Sequence, residues 1–97
     1  MRTTGGKVFC GCNVENDSYG LTSCAERNAI FAAVVEEGRR MRIESIAVFA
    51  IAKSVPPCGA CRQVIAQFGR HAKVVFPKNY SFAAMSIGQL LPEKFRL

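Results

Sequence analysis

Two short segments, Cys24-Ala25-Glu26 and Pro57-Cys58-Gly59-Ala60-Cys61, constrain this chain more than any other part of it. They stand far apart in sequence, and each opens a stretch with helical patterning. Three cysteines so placed can hold one zinc ion only if the two helix starts meet, so one ligand set dictates a tertiary contact. Structural zinc sites are usually closed by four protein ligands, whereas three leave a position for water or substrate. The spacing therefore predicts zinc as the cofactor, at a catalytic site. Glu26, two residues after Cys24, puts a carboxylate beside the open position. A hydrolytic reaction needs such a group to move protons.

Helix N-termini carry unpaired N–H groups and a partial positive charge. Both favour the thiolate that zinc requires. Ser23 reads as the N-cap of a helix from about Cys24 to Glu37, with Ala25, Asn28, Ala29, Ala32, Ala33 and Glu36 at helical spacing and Gly38 as the stop. A second helix is expected from Cys58 to Phe68, ended by Gly69. Blander readings exist for each residue alone. Cys58-x-x-Cys61 is also a redox dithiol pattern, Cys24 a small buried hydrophobe, and Ser23-x-x-Glu26 a capping box. One zinc site accounts for all of them together. Cys10 and Cys12 alternate on a predicted strand, where packing is expected, and a fourth ligand from this pair would close the site. His71 reads as an ordinary surface histidine.

The remaining pattern places strands and loops. Thr3-Thr4-Gly5-Gly6 reads as the turn of a hairpin whose first strand is not in the chain. Lys7 to Val14 reads as a strand, Glu15 to Tyr19 as a loop, and Ser45 to Ala52 as a strand buried on both faces. Ser54 to Pro57 is a loop, Lys73 to Phe76 another short buried strand, and Ser86 to Leu91 a short helix before Pro92. The order strand, helix, strand, helix, strand predicts one α/β domain over residues 1–97, built as a three-layer sandwich around a central sheet. Its ligand site belongs beyond the strand ends.

A chain of 97 residues with 49% hydrophobic and 21% charged residues fits one globular domain. At this size, a metal or an oligomer interface would add to a modest core. Apolar stretches break before a membrane-spanning length, and Met1 to Lys7 lacks the apolar core of a signal peptide. The sequence thus reads as soluble and cytoplasmic, with no membrane partner. In that compartment five cysteines point to metal or redox chemistry rather than disulfides. The net charge is +6. Arg39, Arg40 and Arg42 form the one tight basic cluster, and it flanks a predicted helix end, where cations offset the dipole. No aromatics interleave with it, which argues against nucleic acid as a partner.

These segments resemble the nucleoside cytidine deaminases, from about Lys7 to Phe95. Gly11-Cys12-Asn13-Val14-Glu15-Asn16-Asp17-Ser18-Tyr19 is similar to that family's nucleoside-binding segment. Cys24-Ala25-Glu26-Arg27 and Pro57-Cys58-Gly59-Ala60-Cys61-Arg62-Gln63 match its two zinc segments. Gly88-Gln89-Leu90-Leu91-Pro92 with Phe95 resembles its C-terminal segment. The resemblance implies an α/β/α sandwich with a mixed central sheet, and Zn²⁺ on Cys24, Cys58 and Cys61. It implies Glu26 as proton shuttle, Asn13 and Glu15 on the ribose hydroxyls, and the backbone around Ala25 at the pyrimidine edge. Phe95 would pack near the base, and Tyr19 would serve the site or a subunit contact. Arg27 resembles an arginine that hydrogen-bonds the zinc-bound sulfurs. Cysteine as first ligand resembles the small homotetrameric branch, whose sites are completed by neighbouring subunits. The implied reaction is hydrolysis of cytidine or deoxycytidine to uridine or deoxyuridine with loss of ammonia, a step of pyrimidine salvage. Two other readings stay open: a catalytically silent zinc-binding subunit of deaminase fold, and a deaminase directed at nucleic acid or a nucleoside antibiotic. The pattern departs at the N-terminus. The family normally begins with a helix and a strand of Tyr-Ser-x-Phe-x-Val-Gly type, which would pair beside Lys7–Val14. Without it, an open sheet edge and exposed apolar surface are expected.

Overall fold

The computed structural model describes all residues 1–97. Its elements are β1 (Arg2–Thr3), α1 (Ala25–Glu37), β2 (Ile43–Ala47), α2 (Gly59–Phe68), β3 (Lys73–Lys78), β4 (Ser81–Ser86) and α3 (Ile87–Leu90). The strands form one mixed sheet in the order β1-β2-β3-β4. β2 and β3 run parallel, with α2 as their crossover, and both outer pairs are antiparallel. The α/β class and the mixed sheet agree with the sequence reading.

Both cysteine-led helices form with boundaries close to those expected. Cys24 and Cys58 are themselves the N-cap residues, each with extended backbone. Ser23 does not cap α1, and no capping box forms with Glu26. The boundary lies at Cys24, whose carbonyl accepts the Asn28 amide hydrogen bond, while the Ser23 hydroxyl donates to Asn28 Oδ1 at 2.7 Å. Glu26 is therefore not used in capping. α1 stops at Gly38, whose φ of 65° is a conformation that glycine takes without a Cβ penalty. The capping box occurs instead at α3, where Ser86 and Gln89 satisfy each other's backbone N–H groups.

The core is one apolar cluster on one face of the sheet. Ile30 and Ala33 of α1, Ile65 and Ala66 of α2, and Ile87 and Leu90 of α3 pack on Ile46, Val74 and Phe76. Burying each large aliphatic side chain contributes roughly 1.5–3 kcal/mol. Strand alternation turns Ala47, Lys73 and Ala84 to the opposite face, where they are exposed. The helices of this chain thus form one outer layer of the expected sandwich.

The strands differ from expectation in four places, and one is that β3 runs on to Lys78 rather than stopping at Phe76. β2 covers Ile43–Ala47 rather than Ser45–Ala52, and Ile51 is 98% exposed instead of buried. The cause lies on β3. The Val48 amide donates to the Val75 carbonyl at 2.8 Å, and in a parallel ladder the next bond would come from the N–H of residue 77. That residue is Pro77, which has no N–H, so the chain leaves the sheet. β4 was not foreseen. Asn79 and Tyr80, at φ 51° and 61°, form a tight two-residue hairpin turn that returns it along β3. Lys7–Val14 is extended but makes only isolated bridges, Arg2 to Val8 and Val14 to Ser23. The hairpin's first strand is not wholly missing, because Arg2–Thr3 pairs with β2 and Met1 exchanges bonds with Phe9.

Candidate active site

The starts of α1 and α2 converge, and with them three sulfurs. The Sγ atoms of Cys24, Cys58 and Cys61 lie within 4.8 Å of one another, with Cys24 and Cys58 4.0 Å apart. A tetrahedral zinc with Zn–S bonds of about 2.3 Å requires sulfurs about 3.8 Å apart, so the donor set fits that ion. Cys10 and Cys12 are outside this group and exposed. The protein therefore offers three ligands and leaves one position open.

The local electrostatics call for a cation. Backbone N–H groups at the start of α2, that of Cys61 first, lower the Cys58 thiol pKa. Burial, the neighbouring Cys58 and the Glu26 charge push the Cys61 thiol up. Thiolates this close repel each other and cannot all ionise cheaply, whereas a dication at their centre reverses that balance. Arg27 already supplies one positive charge. Its Nη2 lies 3.5 Å from Cys24 Sγ and 3.5 Å from the Thr22 carbonyl oxygen. Hydrogen bonds to Cys24 and Cys61 raise its pKa further, so the guanidinium stays charged and withdraws electron density from the sulfurs.

Ala25 and Glu26, the first two residues of α1, line a groove of about 430 Å³ together with Asn13, Cys12 and Phe9. Gly11 lets that segment lie against the helix. A Cβ there would clash with the Ala25 carbonyl oxygen and the Ala29 amide nitrogen. Asn13 Nδ2 donates to Glu15 Oε1 at 2.7 Å, so the two polar side chains act as a unit. Glu15 also lines a shallow cleft with Asn16, Asp17 and Tyr19.

Residues 1–78 match the family model described as the cytidine and deoxycytidylate deaminase zinc-binding region. The chain belongs to this deaminase family. It is 47% identical over 93 residues to the cytidine deaminase of Halalkalibacterium halodurans, covering 93% of this chain and 69% of that protein. With the Sporosarcina psychrophila cytidine deaminase it shares 41% identity, covering 93% and 67%. The crystal structure of cytidine deaminase from Burkholderia pseudomallei superposes with a TM-score of 0.77 at 39% identity, covering 97% of this chain and 76% of that one. The Mycobacterium tuberculosis enzyme gives 0.78 at 37%, covering 98% and 74%. Zinc is the cofactor of this zinc-binding family, and the three-cysteine cluster accords with it.

Within this deaminase fold, not every residue singled out in the sequence gathers at the cluster. Cys24, Cys58 and Cys61 do, with Arg27 and Glu26 beside them, while Ala25 and Asn13 line the groove that Glu26 shares and Glu15 is bonded to Asn13. Tyr19 is 91% exposed, away from the groove that holds Glu26. Phe95 is 69% exposed and lies along α2, where its N–H and carbonyl bond the Gln63 side chain at 3.1 Å each. Two supporting residues escaped the sequence reading. Asn28 donates to the carbonyls of Cys12 and Ser23, at 2.7 and 3.3 Å, tying the Gly11–Val14 segment to α1. Arg62 donates to the Pro57 carbonyl at 2.8 Å and the Leu90 carbonyl at 2.9 Å, clamping the start of α2 to α3. Their signal was a polar side chain four residues after each helix-capping cysteine.

Proposed function

We propose that this chain is a cytidine deaminase that hydrolyses cytidine or deoxycytidine to the uracil nucleoside and ammonia, with Cys24, Cys58 and Cys61 holding zinc and Glu26 carrying protons. The observation that carries this reading is the convergence of two helix starts, which puts three sulfurs together and leaves Glu26 on the rim of a groove. Zinc bound there supplies Lewis acidity, worth on the order of 12 kcal/mol in generating hydroxide at neutral pH. Glu26 takes a proton from the attacking water and delivers it to N3 of the cytosine. It then moves the proton of the new C4 hydroxyl to the departing amino nitrogen, so that the C4–N bond breaks, the C4–O bond becomes a carbonyl and ammonia leaves.

Asn13 and Glu15 orient the sugar through its hydroxyls, the Asn13–Glu15 hydrogen bond holding both in place. A carboxylate beside the sugar disfavours a 5′-phosphate near it, which supports a nucleoside over a nucleotide. Ala25 presents backbone to the pyrimidine. Tyr19 and Phe95, turned outward in one chain, serve substrate sites in a homo-oligomer, for which a tetramer is the proposed state. Free thiols suit a reducing cytoplasm and a place in pyrimidine salvage. No helix is long and apolar enough to cross a membrane.

The test is ammonia release from cytidine by the purified zinc-loaded chain. Turnover abolished by chelation and restored by zinc is expected. Full zinc content with no turnover on cytidine or deoxycytidine would move the reading to a silent zinc-binding subunit.

A further inference from the structure

The segment that carries Asn13 and Glu15 is held by few bonds. Residues Cys10 to Glu15 are exposed, and no backbone–backbone hydrogen bond involves Cys10, Gly11, Cys12 or Asn13. Neither burial nor a strand ladder therefore fixes where Asn13 stands, and a stretch so sparsely bonded opens easily. Two anchors flank Asn13. On one side the Cys12 carbonyl accepts from Asn28 Nδ2 at 2.7 Å. On the other, Val14 and Ser23 exchange backbone hydrogen bonds of 2.9 and 3.0 Å. Asn28 takes part in both. Its Nδ2 also donates to the Ser23 carbonyl at 3.3 Å, and its Oδ1 accepts from the Ser23 hydroxyl at 2.7 Å. The carbonyl oxygens of Cys12 and Ser23 can only accept, so one orientation of the amide satisfies all three bonds.

We infer that Asn28 is a positioning residue for the nucleoside: its side-chain amide sets how far the Asn13–Glu15 pair stands from Glu26. This rests on the reading of that pair as the sugar's partners, and it adds what keeps the pair in register with the chemistry. Ser23 and Asn28 bracket Cys24-Ala25-Glu26, one residue before the first zinc ligand and two residues after the carboxylate. Both anchors of the Cys12–Val14 backbone thus refer to the helix start that carries the reacting groups. Asn13 Nδ2 and Glu15 Oε1 are joined at 2.7 Å, so the pair follows its backbone as one body. The helix itself has no use for this side chain. Asparagine is a mediocre helix former, and the Asn28 N–H is already bonded to the Cys24 carbonyl at 3.1 Å. All three side-chain bonds run instead to Cys12 and Ser23. Sugar contacts help the reaction only when they bring C4 within reach of Glu26, and a misplacement of about 1 Å can cost on the order of 100-fold.

The test compares cytidine with 2′,3′-dideoxycytidine, which keeps the base but lacks two sugar hydroxyls, on the zinc-loaded chain. Wild-type kcat/KM is expected to favour cytidine by roughly 10- to 100-fold, the scale of a hydrogen bond to a charged group. Asn28→Ala and Asn28→Asp both remove the two donors, and the aspartate keeps the size and an acceptor for Ser23. Each is expected to bring the preference below about threefold, chiefly by raising KM for cytidine. A defect confined to the fold or the metal lowers both rates together and leaves their ratio, so Tm and zinc content are measured beside them. Ser23→Ala keeps the donors but frees the amide to turn, and is expected to reduce the preference by about two- to fivefold. A wild-type preference kept by the folded Asn28 variants overturns the inference, whatever happens to Tm. Should those variants not fold, an unchanged preference in Ser23→Ala overturns it instead. Wild-type protein that turns over neither nucleoside, or both equally, overturns the reading of the site first, and the inference with it.

Discussion

Glu26 is the second residue of α1, in a turn where N–H groups point outward and helices favour negative charge. Its carboxylate is neither a cap nor an ion-pair partner, so its position costs the fold little and leaves it available for protons. Glu26→Ala is expected to retain zinc and near-native Tm while losing about 10²–10⁴ in kcat. Metal analysis beside steady-state turnover checks this, and near-normal turnover would remove the assigned role. Arg27 acts one step further out. Removing its charge from Cys24 and Cys61 leaves three thiolates balanced by zinc alone. Arg27→Ala should therefore release zinc more readily to a chelator and lower the rate, each by about 10- to 100-fold. Unchanged release and unchanged rate would count against it.

Among the elements, the two helices were legible and the strands less so. Helix starts and stops follow from neighbours within one turn: small residues at helical spacing, a capping position, and Gly38 or Gly69 at the end. Even here the reading missed by one residue at Ser23, because Asn28 competes for its hydroxyl. Strands depend on partners remote in sequence. The run Ser45–Ala52 looks uniform, yet its pairing ends where Pro77 lacks a donor. β4 was hidden because Ser81–Ser86 has no β-branched residue, and its turn uses Asn79-Tyr80 in place of the usual glycine. Gly11 is where element packing is tightest. Gly11→Ala forces the extended segment off the first turn of α1 and should cost about 1–3 kcal/mol. It should also raise KM for the nucleoside by displacing Asn13. Chemical denaturation and kinetics check the two effects, and wild-type stability would show that the segment yields freely.

At the scale of the molecule, buried aliphatics are few and large apolar side chains remain outside. Phe31 and Val35 of α1, Leu21, Phe49 and Phe82 are all exposed, more than a small monomer usually leaves in water. Association is the expected consequence, and sedimentation should give four times the 10.6 kDa chain mass. A monomer at all concentrations would refute that state and would leave Tyr19 and Phe95 without a site to serve. Zinc ties together two helix starts that otherwise meet through side chains alone. Chelation should therefore lower Tm reversibly, with added zinc restoring it by mass action. A Tm unchanged on full metal loss would make the site dispensable to the fold.

The sequence by itself determined the ligand types, the carboxylate beside them and the two helix starts, because caps, periodicity and ligand spacing are local chemistry. Only the tertiary structure decided that the three sulfurs meet, that Arg27 faces two of them, and that Phe95 is tied to Gln63 on α2. The sulfurs meet because two helices remote in sequence start at one place, and local spacing carries no record of that.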